Sequence, residues 1–157
     1  MKHPTAEFKL VPMRETAPPQ TRPHGDTPEA IAEYWRAQVE TSPNYSHTTE
    51  QAAVIMLNTR RRITGHVIAA TGTLDTILIH PREIYHAAIL ANAAAIVLAH
   101  NHPSGDAQPS EADIKVTRDL IRAGQLLKIE MLDSIVIGHP AATQPFVSLR
   151  ALGYFYS

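Results

Sequence analysis

The chain predicts an α/β fold, a sheet with helices packed on it in two or three layers, and three observations carry that prediction. Short β-type runs alternate with segments whose apolar residues recur at helical spacing. One run, "AIVLAH" at 95–100, is short, apolar and continuous, as a central strand covered on both faces must be. Proline also shifts along the chain: seven of the twelve lie within residues 1–45, which sets a Pro-rich arm plus a helix (1–45) apart from a domain at 46–157.

Within the arm, "APPQTRPHGDTP" has almost nothing to bury and reads as extended or loosely attached. Residues 27–40 read as a helix. Thr27 suits the N-cap, Pro28 the first helical position, and Ile31, Tyr34, Trp35 and Gln38 recur on one side. From Gln51 the β-type runs "AAVIMLN", "GHVIAATGTL" and "TILIH" follow, the first two joined by "TRRRITG" as a hairpin connection. "PREIYHAAILANAA" is a helix with a stripe of mostly small residues at Ile84, Ala87, Ala88, Ala91 and Ala95. After the central strand comes a second helix, 110–127, with Ile114, Thr117, Leu120, Ile121, Gly124 and Leu127 inward. The strands "MLDSIVIG" and "PFVSL" close the chain.

Composition excludes several function classes. There is no Cys, so disulfides, thiolate catalysis and Cys-based zinc sites are out, and any metal must be held by His and carboxylates. The net charge is -1, and Arg60, Arg61 and Arg62 make too short a basic cluster to suggest direct nucleic-acid binding or an anionic membrane surface. No apolar stretch reaches the ~18 residues of a membrane span, and the N-terminus lacks the apolar segment of a secretory signal. A cytoplasmic protein is the expectation.

The stretch "HNHPSG" at 100–105 carries the chemistry. Side chains at i and i+2 of a strand share a face, so His100 and His102 turn both imidazoles one way and Asn101 the other. Pro103, Ser104 and Gly105 suit a tight turn, and Ser110 suits the N-cap of the helix that has Asp113 in its first turn. Folding that helix start back on the strand end brings the Asp113 carboxylate to the two imidazoles. Two neutral His nitrogens, one carboxylate oxygen and one open position make a catalytic type of zinc site. Each part also has a plain structural reading: a buried hydrogen-bonded His, and a capping box in which Asp113 favours the helix N-terminus.

His100, His102, Ser110 and Asp113 match His-x-His, seven residues, Ser, two residues, Asp. This resembles the signature of the JAB/MPN (JAMM) zinc metalloproteases. "HPREI", "AAAIVLAHNHPSG", "PSEADI" and "LLKIEMLDSIVIG" resemble, more narrowly, the RadC-like branch, over roughly residues 48–150. The resemblance implies a mixed β-sheet flanked by helices, a cytidine-deaminase-like α/β/α sandwich, extended here by the N-terminal arm and helix. It implies Zn2+ on His100, His102 and Asp113, with Ser110 hydrogen-bonding the water or the developing oxyanion. The implied reaction is hydrolysis of a peptide or isopeptide bond in a peptide or protein substrate.

The family mechanism also needs a Glu on an upstream strand as general base, expected a few positions before "GTL". Val67 or His66 stands there instead. If His66 faces the metal it serves as base or fourth ligand; if Val67 does, the acid–base role has no holder. Glu50 reads as too far upstream, and Glu50, Glu83 and Glu111 as solvated or helix-start charges. Ser134 stands where the RadC-like branch usually has His, and His80 is a further candidate participant. The resemblance thus leaves an active zinc peptidase set against a metal-binding but catalytically impaired module for protein interaction. A DNA-repair-associated factor is the third reading.

Overall fold

A computed structural model describes residues 6, 7, 9, 18–72 and 79–156. Strands β1 (Gln51–Leu57), β2 (Ile63–Thr71), β3 (Ala95–Asn101), β4 (Glu130–Ile137) and β5 (Phe146–Ser148) form one sheet in the order β2-β1-β3-β4-β5. The β3–β4 pair is parallel and the other three are antiparallel, so the sheet is mixed. Helices α1 (Pro28–Tyr34, continued by a π-helical turn Trp35–Val39), α2 (Pro81–Leu90) and α3 (Glu111–Leu127) cover its two faces. The strand expected at "TILIH" falls largely on 73–78, outside the described residues.

Strand alternation divides the core. Ala53, Ile55 and Leu57 of β1, with Val97 and Ala99 of β3, pack with Ile31, Trp35 and Val39 on the α1 side. Ala52, Val54 and Met56, with Ile96 and Leu98, pack with Ile84, Tyr85, Ala88 and Leu120 on the α2/α3 side. Both central strands are buried at every position, which is why their sequences are continuously apolar. The result is three layers, α1 on one face and α2 with α3 on the other.

The helix at 27–40 is part of this core. Thr27 caps it by accepting from the Ala30 amide, and Trp35 is fully buried. The chain just before it lies along the start of β2: Ile63 N–H donates to the Pro23 carbonyl at 2.8 Å and Gly25 N–H to the Arg61 carbonyl at 2.9 Å. Among the described residues no helix is long and apolar enough to cross a membrane.

Topology sets the place for chemistry. The β1–β3 ladder ends at Ala52↔His100, so the start of β1, the end of β3 and, through the loop 102–110, the start of α3 meet at one end of the sheet.

Candidate metal centre

His100 is opposite Ala52 and therefore points to the α2/α3 face, where it is buried. His102, two residues on, turns the same way just past the end of β3. The turn between β3 and α3 is held by Gly105, whose φ of +84° suits a residue without a Cβ; its N–H donates to the His102 carbonyl and its carbonyl accepts from the His139 N–H, each at 2.9 Å. Ser110 then caps α3. Its hydroxyl oxygen accepts from the Asp113 amide at 3.1 Å, and its own amide donates to Asp113 Oδ2 at 2.8 Å, a capping box with Asp in place of Glu. That box aims the Asp113 carboxylate at the imidazoles: Oδ1 lies 3.1 Å from His100 Nε2 and Oδ2 3.3 Å from His102 Nε2.

A fourth group stands with these three. Glu50, just before β1, shares the phase of Ala52, Val54 and Met56, so its side chain falls on the His100 side of the sheet. Its Oε1 lies 3.9 Å from His100 Nε2 and its side chain is only 12% exposed. One donor atom each from Glu50, His100, His102 and Asp113 lies within 4.8 Å of all the others, an arrangement that can hold a metal ion.

The chemistry of the donors fits a cation. His102 Nδ1 is 2.8 Å from the Asp106 carbonyl, which can only accept, so this nitrogen carries a proton and, whenever the ring is neutral, Nε2 is the atom with a lone pair for a cation. The two Nε2 atoms face each other at 3.2 Å. Asp113 Oδ1 is buried and without a well-formed hydrogen bond, a costly state for a carboxylate unless a cation meets it. Burial pushes the Asp113 carboxyl up, but the His100 and His102 side chains outweigh it and hold the group well below the usual carboxylate range. For His102 burial pulls the pKa down, and the bonds to Asp113 and the Asp106 carbonyl more than restore it, leaving it above the ordinary value.

The remaining expected participants fall elsewhere. His66 is opposite Ile55, whose side chain belongs to the α1 face, so it points away from His100; its Nδ1 is hydrogen-bonded to the Tyr34 hydroxyl at 2.7 Å. The expectation that His66 takes the acid–base position is corrected accordingly, and the sheet's period of two is the reason. Val67 is on the His100 face but opposite Val54, away from the strand end, and is 42% exposed. Glu83 and Glu111 are exposed in the first turns of α2 and α3, and His80, also exposed, precedes α2 without a side-chain cap bond. Ser134 is buried in β4 opposite Leu98.

Glu50 is the residue the sequence reading set aside. The signal that finds it is phase: counting back by two from Ala52 reaches Glu50, but only the β1–β3 pairing shows that this phase is the one His100 occupies.

Comparison with known proteins agrees with this geometry. A family model described as "RadC-like JAB domain" matches residues 26–154, which include α1 and all four clustered residues. The chain is 45% identical over 109 residues to a UPF0758 protein of Chlorobaculum tepidum, covering 69% of this chain and 47% of that one. It is 39% identical over 132 residues to a UPF0758 protein of Symbiobacterium thermophilum, covering 83% and 54%. The chain thus spans about half the length of the curated relatives it matches. With the family match running from the residue before the α1 cap to Tyr154, and with the clustered His, Asp and Glu side chains inside it, the chain belongs to the RadC-like JAB domain family.

Proposed function

We propose that this chain is a zinc-dependent metallopeptidase or isopeptidase, hydrolysing a peptide or isopeptide bond in a peptide or protein substrate. The observation that carries the reading is the Glu50 carboxylate beside His100, His102 and Asp113, because it supplies the proton acceptor that the strand at 63–71 lacks. His100 Nε2, His102 Nε2 and Asp113 are the ligands; Glu50 stands furthest off, at 3.9 Å against 3.1 to 3.3 Å among the other three, which suits a base better than a ligand. A zinc ion held there supplies Lewis acidity, polarising a carbonyl and lowering the pKa of water from about 15.7 toward about 7.

The chain's own residues do the rest. Glu50 Oε1 takes a proton from the attacking water, whose oxygen joins the carbonyl carbon, and returns it to the amine nitrogen as the C–N bond breaks. The Ser110 hydroxyl oxygen is already accepting from the Asp113 amide, so its own proton is available for the developing oxyanion. Asp113, buried and bonded to the Ser110 amide, holds its ligand oxygens in place.

The test is cleavage of a panel of peptides and isopeptide conjugates by the zinc-loaded chain. Glu50→Gln lowers kcat about 10²–10⁴-fold with zinc content unchanged; Asp113→Ala loses the zinc, and His66→Ala leaves kcat unchanged. Undiminished turnover in Glu50→Gln, or no zinc bound by the wild type, sinks the proposal. The alternative, a metal-binding but catalytically impaired module for protein interaction, is motivated by the missing carboxylate on β2; the nearness of Glu50 to His100 supports the active reading over it.

A further inference from the structure

The last rung of the β1–β3 ladder is Ala52↔His100, so Glu50 lies two residues beyond it, where β3 no longer pairs with this stretch, while on the other side β1 still pairs with β2 as far as Gln51↔Thr71. Asn101, between the two histidines, projects to the opposite face and is buried. Its Oδ1 accepts from the Gln51 amide at 2.7 Å, and its Nδ2 donates to the Thr49 carbonyl at 3.1 Å. The two bonds grip the backbone on either side of Glu50, and a third, from Gly72 N–H to the Glu50 carbonyl at 2.8 Å, ties the residue to the end of β2. A carboxamide is the compact side chain that offers one acceptor and donors in a single fork.

We infer that Asn101 is a positioning residue for Glu50, holding its carboxylate over the site by clamping residues 49 and 51. One tripeptide therefore sets both halves of the chemistry: His100 and His102 present ligands on one face while Asn101 fixes the proton acceptor from the other. The inference rests on the assignment of Glu50 as the acid–base group.

The test loads the intact chain with Co2+, whose visible absorption bands respond to the groups around the ion, and compares wild type with Glu50→Gln, Asn101→Ala, Asn101→Asp and Ser148→Ala. Glu50→Gln alters the bands, and Asn101→Ala reproduces the alteration with metal stoichiometry retained. Asn101→Asp keeps the acceptor for Gln51 N–H but has no donor for Thr49, and it shifts the bands in the same direction. Ser148→Ala, which removes a buried hydrogen bond to Asp133 from β5, leaves them as in wild type. In the metal-free protein the Gln51 amide exchanges with solvent at least about tenfold faster in Asn101→Ala. Wild-type bands in Asn101→Ala beside altered bands in Glu50→Gln overturn the inference. Wild-type bands in Glu50→Gln itself overturn the assignment of Glu50, and the inference with it. Failure of both Asn101 variants to fold assigns that side chain a purely structural role and also overturns the inference.

Discussion

Ser110 couples a helix cap to the site, because the bonds that start α3 are the ones that orient Asp113. Ser110→Ala therefore costs about 1 kcal/mol of stability through the lost cap, measurable by denaturant unfolding. If the hydroxyl also meets the oxyanion, kcat falls about 10²–10³-fold, far beyond what the cap alone explains. The paired titrations of Asp113 and His102 give the metal-free protein a pH optimum. Asp113 has a pKa lowered from 3.8, so its contribution is present above that value and is lost as pH falls through the lower folded one. His102 has a pKa raised from 6.5, so its contribution is full below 6.5 and is lost as pH rises through the folded value. Metal-free protein is expected to be most stable in the weakly acidic window between them, as thermal unfolding across pH will show, with His102→Gln removing the decline on the neutral side. A bound cation would act with the opposite sign at His102, since a histidine ligand must be deprotonated.

At the level of elements, the seam between α2 and α3 depends on one aromatic and one glycine. The buried Tyr85 hydroxyl donates to the Leu120 carbonyl at 2.6 Å, and a Cβ at Gly124 would collide with that hydroxyl and with the Ile129 carbonyl. Tyr85→Phe should cost about 0.5–1.5 kcal/mol and Gly124→Ala about 1–3 kcal/mol, both read from denaturant midpoints. Burial pushes the Tyr85 phenol up from 10.0 to about 12, so the stability tied to its neutral form is lost as pH rises through that interval. The helical stripes were legible beforehand: Ile84 and Ala88 on α2, and Ile114, Thr117, Leu120 and Gly124 on α3, are buried. Leu127, expected inward, is 43% exposed, because α3 ends there and Lys128 turns the chain in the left-handed region, φ 59°.

Across the whole molecule, the candidate metal centre joins elements from three separate stretches of chain, residues 50, 100–102 and 110–113. A ligand that binds only the assembled site stabilises the fold by mass action, by about 2.7 kcal/mol when free zinc is a hundredfold above its Kd. Thermal unfolding with and without zinc should show this stabilisation in wild type and in Glu50→Gln, and none in Asp113→Ala. A stabilised Asp113→Ala would mean that zinc binds elsewhere.

The sequence alone determined the local features: the apolar central strand, the helices with their caps, and the spacing from His100 through His102 to Ser110 and Asp113. These rest on alternation, helical period and capping, which act over a few residues and are written in consecutive positions. The tertiary structure decided the rest. It made the sandwich three-layered, drew the helix at 27–40 into the core, turned His66 toward Tyr34, and brought Glu50 to the histidines. Glu50 and His100 are fifty positions apart, and what unites them is the β1–β3 register; a one-residue slip in that pairing would have sent Glu50 to the opposite face.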